Sequence, residues 1–141
     1  LRGDTGICVD LVKGHHNLGI SSENGYIVPL DCGATGKTLL AAQSDELVER
    51  LIQNYPGLEE KLRNQVKEIR QRGYCISEGE VDEGVAAVAV PLPMPDHIYT
   101  LTYSGPVERL RGLDYMVLVH SLQQAVKNIL LKCDGKRKEA L

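Results

Sequence analysis

The stretch Leu30-Asp31-Cys32-Gly33-Ala34-Thr35-Gly36-Lys37-Thr38-Leu39-Leu40-Ala41-Ala42 decides how this chain is read. An apolar run from Tyr26 to Leu30 arrives as a strand, breaks at Gly33 and restarts as a helix rich in Leu and Ala, which are strong helix formers. Small residues fill the turn, so a ligand can come close to the backbone there. The first amides of the new helix have no partner within it, and the positive end of its dipole points the same way. Together these favour a small anion, although every strand-to-helix turn offers some of that chemistry. Gly36-Lys37-Thr38 imitates the end of a nucleotide-binding P-loop. That motif needs a glycine five positions before Gly36, where Asp31 stands. Counting from Gly33 instead leaves a loop too short to wrap a diphosphate, so this is not a Walker A sequence.

A length of 141 residues suits one domain with a substantial core. The net charge of −3 gives no general attraction to nucleic acid. No apolar run approaches membrane-spanning length and no signal-peptide pattern opens the chain, so the expectation is a cytoplasmic protein with no membrane partner. The start at Leu1 rather than Met points to an excised fragment with sequence upstream. Cys8, Cys32, Cys75 and Cys133 are scattered without a CxxC pair, which predicts free thiols rather than a zinc ribbon or redox motif. His15 and His16 are adjacent, not one helical turn apart, and read as part of the polar turn Lys13 to Asn17. Neither a metal nor a cofactor is expected.

Strand patterns come first along the chain: Ile7 to Val12, Leu18 to Ser21, and Tyr26 to Leu30 after an Asn24-Gly25 turn. A short strand is expected at Tyr74 to Ser77. Two longer ones, Ala86 to Leu92 and Ile98 to Tyr103, flank the turn Pro93-Met94-Pro95-Asp96. Between these groups lie helices. Ser44 caps one whose apolar residues Leu47, Val48, Leu51, Ile52 and Tyr55 share a face, stopped by Pro56-Gly57. Another runs from about Leu58 to Arg72, with acids at its start, Arg70 and Arg72 at its end and Gly73 as C′ residue. The last runs from about Leu113 to Lys132, and its apolar stripe packs on a sheet. Residues 133–141 read as a polar, fraying tail holding Lys136-Arg137-Lys138, outside a domain of residues 1–132. Strands, clustered helices, strands and a final helix argue α+β with a mainly antiparallel sheet.

Val28-Pro29-Leu30, Gly33 to Ala41, Arg72-Gly73-Tyr74, Glu83-Gly84-Val85 to Pro91, and Tyr103-Ser104-Gly105-Pro106 follow one another in a familiar order and spacing. From about Gly6 to Lys132 the chain resembles the effector-binding domain of the isocitrate-lyase-regulator (IclR) family of bacterial transcription factors. The resemblance implies a GAF-like fold: a curved antiparallel sheet, helices on its faces and a pocket for a small metabolite. It also implies a homodimer or homotetramer, and DNA binding only through an N-terminal winged helix-turn-helix absent from this sequence.

Carried over position by position, the resemblance places the pocket on Gly33, Ala34 and Thr35 at the helix start, Ser77, and the pair Thr102 and Ser104. Apolar walls come from Ile20, Val28 and Ala87. The implied ligand is a small carboxylate. The family often has an acid where Ser77 stands, and members that bind glyoxylate or pyruvate have a thiol where Ala87 stands. These departures point to a larger or differently hydroxylated acid. Residues Thr102 and Ser104, two apart in a strand, point to one face and can address one ligand.

Plainer readings stand beside these. The hydroxyls of Thr102 and Ser104 could face solvent on an edge strand, and Thr35 could be only a helix cap. Lys37 reads as exposed or structural. The acids Glu78, Glu80, Asp82 and Glu83 read as a solvated loop rather than a metal site. An enzyme is the rival function: Cys32 near a helix start could have a lowered pKa and be activated by His15 or His16, as in a small Cys/His hydrolase. No nucleophile elbow supports it, since Tyr103-Ser104-Gly105 lacks the preceding glycine.

Overall fold

Alternating side chains along three strands set the centre of the structure. A computed structural model describes residues 1–14 and 23–139. Two short strands, β1 (Gly6–Ile7) and β2 (Ile27–Val28), pair antiparallel near the start of the chain. Three helices follow, α1 (Gly33–Ala41), α2 (Asp45–Ile52) and α3 (Glu59–Arg72). Then come β3 (Cys75–Glu78), β4 (Val85–Pro93) and β5 (Ile98–Pro106), an antiparallel three-stranded sheet with β4 in the middle. The helices α4 (Val107–Gly112) and α5 (Tyr115–Glu139) complete an α+β fold.

The sheet buries both faces. On one, Cys75 and Ala89 join a core with Leu30, Ala34, Leu40, Leu51, Leu62 and Val66 from the α1–α3 side. On the other, Val88 and Val90 pack with Val119 and Leu122 of α5. Every residue of α1 except Thr35 is buried, as a helix surrounded by protein requires. Gly36 explains how it fits. A Cβ there would lie 1.6 Å from the Pro29 carbonyl oxygen, so the incoming chain and the helix touch backbone to backbone. The glycine that imitates a phosphate loop is therefore a packing glycine.

The helix signals hold. The Ser44 hydroxyl accepts from the Leu47 amide, Gly73 takes a left-handed φ of 79°, and its amide donates to the Ile69 carbonyl. Arg70 does more than offset the α3 dipole. Its guanidinium donates to the Ala41 and Gln43 carbonyls at the end of α1 and to Asp45.

Four expectations change. The strands Ile7 to Val12 and Tyr26 to Leu30 shrink to two residues each, although Cys8 still exchanges backbone bonds with Gly25 and Tyr26. Val9 and Val12 are exposed, so burial does not extend the pairing. Helix α2 ends at Ile52, and Tyr55 turns its phenol oxygen to accept from the Leu30 amide at 3.3 Å. Helix α4 occupies Val107–Gly112, with Pro106 as its N-cap and Asp114, at a φ of 64°, separating it from α5. The last helix begins at Tyr115 and continues to Glu139, through residues expected to fray. Lys and Arg are good helix formers and suit a helix C-terminus. The expected strand Leu18 to Ser21 lies outside the described residues.

Candidate functional site

The strand register brings the expected site residues together. Ser77 lies opposite Ala87, and Ala87 opposite Ser104; on the same face, Cys75, Ala89 and Thr102 form the next row. Two strand spacings put Ser77 and Ser104 about 10 Å apart, with only the Ala87 methyl between them. Small residues on β4 let the start of α1 settle onto this face. The buried Ala34 amide donates to the Ser77 hydroxyl oxygen at 2.8 Å, and the Thr35 and Thr102 hydroxyls lie 3.1 Å apart. Ser77 is buried at 7% exposure, Thr35 and Thr102 are half-buried, and Ser104 is exposed. Among the described residues β5 is an edge strand, with Ser104 exposed on it and Thr102 turned toward the helix. Thr100, next in the same alternation, buries a hydroxyl with no partner among the described residues. The Thr100-x-Thr102-x-Ser104 spacing could have shown it.

The anion position at the helix start is taken by the protein itself. Glu80, on the loop between β3 and β4, accepts from the Gly33 amide at 2.9 Å and from the Lys37 ammonium at 2.8 Å. Burial raises the Glu80 pKa, but the bonds from Lys37 and Gly33 outweigh it and hold the carboxyl below its ordinary value. Lys37 is only 5% exposed, so of the two readings, exposed or structural, the structural one fits. Its side chain is buried and its ammonium is paired with Glu80. With Gly33 and Ala34 both engaged, the Thr35 amide is the next along the helix start, and it has no partner among the described residues.

The acidic loop is therefore not simply solvated. Glu78 turns away from this face, holds Arg111 of α4 through two bonds and meets the Tyr115 phenol of α5. The Arg111 guanidinium, then the Tyr115 hydroxyl, bring its pKa down to about 2. Asp82 and Glu83 are exposed. No group of three metal-binding side chains occurs among the described residues. The rival nucleophile loses its premise: burial, then the charges of Asp31 and Glu80, push the Cys32 thiol pKa up. His15 and His16 lie outside the described residues.

One of the expected wall residues packs elsewhere. Val28 packs beside Gly6 and Leu39: a Cβ on Gly6 would meet their side chains at 3.0 and 3.1 Å. Ile20 lies outside the described residues. A separate cleft of about 380 Å³, lined by Gly73, Val90, Pro91, Gln123, Val126 and Lys127, opens beside α5 and shares none of the site residues.

The structural and sequence relatives agree with this architecture. The probable transcriptional regulator SauR of Cupriavidus necator is 34% identical over 101 residues; the match takes 65% of this chain and 40% of SauR, so the chain spans less than half of that relative. The C-terminal domain of a proposed transcriptional regulator from Vibrio cholerae superposes with a TM-score of 0.76 at 26% identity, covering 89% of this chain and 78% of that one. The inducer-binding domain of the PobR transcription factor from Acinetobacter, a double mutant in complex with 3-hydroxybenzoic acid, superposes with a TM-score of 0.64 at 26% identity. That match covers 77% of this chain and 68% of the other. Family membership points to a regulator domain rather than an enzyme, and no helix among the described residues is long and apolar enough to cross a membrane. Residues 1–131 match the model of the bacterial transcriptional regulator IclR C-terminal family, and the chain belongs to that family.

Proposed function

We propose that this domain senses a small carboxylic acid carrying at least one further oxygen, and that binding controls DNA recognition by an N-terminal helix-turn-helix part of the regulator. One observation carries the reading: hydroxyls from α1, β3 and β5, far apart in sequence, converge on one sheet face at a helix start. The Ser77 oxygen accepts from Ala34, which leaves its own proton to donate. Thr102, Thr35 and Ser104 add donors or acceptors, and the Thr35 amide can meet one carboxylate oxygen. The 3-hydroxybenzoic acid bound by PobR is an acid of this class, carboxylate at one end and hydroxyl at the other. Ser77 stands where the family often has an acid, and Ala87 where glyoxylate- and pyruvate-binding members have a thiol, which favours a different acid from those.

The domain acts as a homodimer or homotetramer in this proposal. A ligand shifts such an assembly only by its differential affinity for two arrangements. A thermal-shift screen of small oxo and hydroxy acids, followed by calorimetry, tests the reading. The best acid should bind Thr35→Ser nearly as well as wild type and Thr35→Pro at least about tenfold more weakly, since proline removes the amide donor. Both variants must first show native circular dichroism. Equal binding by the two would remove the Thr35 amide from the site. Mass analysis should recover the acid unchanged; turnover would revive the hydrolase. In a mobility-shift assay at physiological salt, residues 1–141 should give no saturable, sequence-specific shift.

A further inference from the structure

The loop joining β3 to β4 lies across the start of α1 like a strap. It is bounded by Gly79 and Gly84, with φ of 64° and 75°, conformations that favour glycine and can serve as hinges. Three contacts tie it down: Glu80 to the Gly33 amide, Glu80 to Lys37, and Val81 against Gly33, where a Cβ would come within 2.7 Å of the valine methyl. The buried Lys37 ammonium requires an anion, and Glu80 is the carboxylate that supplies it. Both polar contacts of the strap are therefore made by one carboxylate, standing where an acid would bind.

We propose that Glu80 is an internal occupant of the anion position and that an effector carboxylate replaces it, releasing the strap. This rests on the carboxylate-sensor reading above. The exchange conserves charge: Lys37 keeps one carboxylate partner, the Gly33 amide keeps an acceptor, and Glu80 moves to solvent, where its 35% exposed side chain already reaches. Of the three contacts with α1, only that of Val81 then remains. Effector affinity is reduced by the competition, and strap release becomes the signal that a ligand of the right charge has arrived.

Chemical rescue tests this with acetate as probe. In Glu80→Ala, sodium acetate should raise Tm by about 4 °C or more above sodium chloride at equal ionic strength, while wild type shows no such difference. If Glu80→Ala does not fold in chloride, acetate should restore its circular dichroism. Glu80→Gln keeps the shape without the charge, and acetate should stabilise it beyond wild type by a smaller amount. The double variant Lys37→Met/Glu80→Ala lacks the ammonium and should lose the acetate response. Acetate acting no better than chloride on Glu80→Ala and Glu80→Gln would overturn the proposal and leave the pair as a structural ion pair. An equal acetate response in the double variant would overturn it too. An effector found by the screen without acetate rescue would sink the exchange and leave the sensor reading intact.

Discussion

The two faces of the three-stranded sheet are made from alternate residues of the same strands, yet they stabilise the fold in opposite ways. Toward α5 stand Ile76, Val88, Val90 and Leu101, branched side chains that fill space with Val119 and Leu122. Toward α1 stand Ser77, Ala87, Ala89, Thr102 and Ser104, which fill little space. The first face gains from apolar area removed from water. The second gains from close backbone approach and hydrogen bonds, and this leaves directional polar groups available to a ligand. A sheet can thus be a wall on one side and a binding surface on the other with no change of fold.

The largest expected effect tests the close approach. Gly36→Ala must push its methyl against the Pro29 carbonyl, which is backbone and has no rotamer to escape into. It should cost about 3 kcal/mol or more, read as a lower urea midpoint, or should prevent folding. A cost below about 1 kcal/mol would mean that α1 is not held by backbone contact, and the contrast between the faces would break.

On the other face, Val88→Ala removes two methyl groups from a site with no solvent exposure. A loss of about 2 kcal/mol is expected. Effector affinity should not change, because Val88 points to α5 while its neighbours Ala87 and Ala89 point to α1. A variant that keeps its stability yet binds the acid more weakly would show that the faces are coupled.

Ser77→Ala sharpens the contrast by removing one oxygen. The Ala34 amide is buried, and without Ser77 it loses its acceptor, at a cost of about 1–2 kcal/mol. That is comparable to two methyl groups on the opposite face. Were thermal unfolding unchanged, water would have to replace the serine oxygen, and the helix start would be wetter than its burial indicates.

Much of this was legible in sequence where the cause is local. Ser44, Gly73 and Asn24-Gly25 mark caps and a turn through their own backbone chemistry, and all three do so in the structure. The hydroxyl face was legible because alternation along a strand is also local; the family resemblance then paired the strands. What escaped was set by contacts between distant residues. Nothing near Lys37 announces that a carboxylate 43 positions later will meet its ammonium. Val9 and Val12 look like strand residues until the lack of burial leaves them exposed. The six residues of α4, with Pro106 as N-cap, are too few for a periodic signal.

The smallest effect on the fold should come from Ser104→Ala, and it is the sharpest test of what the hydroxyl face is for. Ser104 is exposed on β5, an edge strand among the described residues, and its hydroxyl has no protein partner among them. Removing it should change unfolding free energy by less than about 0.5 kcal/mol. Its direct neighbour Ala87 separates it from Ser77, and Thr102 lies on the same side one alternation away. If that row holds a carboxylate or hydroxyl of the effector, loss of the serine oxygen removes a hydrogen bond to a charged or polar group. Calorimetry should then show the best acid binding about 1–2 kcal/mol more weakly, a factor between about five and thirty. The dissociation of the two readouts carries the argument: Ser77→Ala should lower stability as well as affinity, Ser104→Ala affinity alone. Unchanged affinity in Ser104→Ala would take this residue out of the site, confine the ligand to the inner hydroxyls of Thr35, Ser77 and Thr102, and shorten the acid that the row can accommodate.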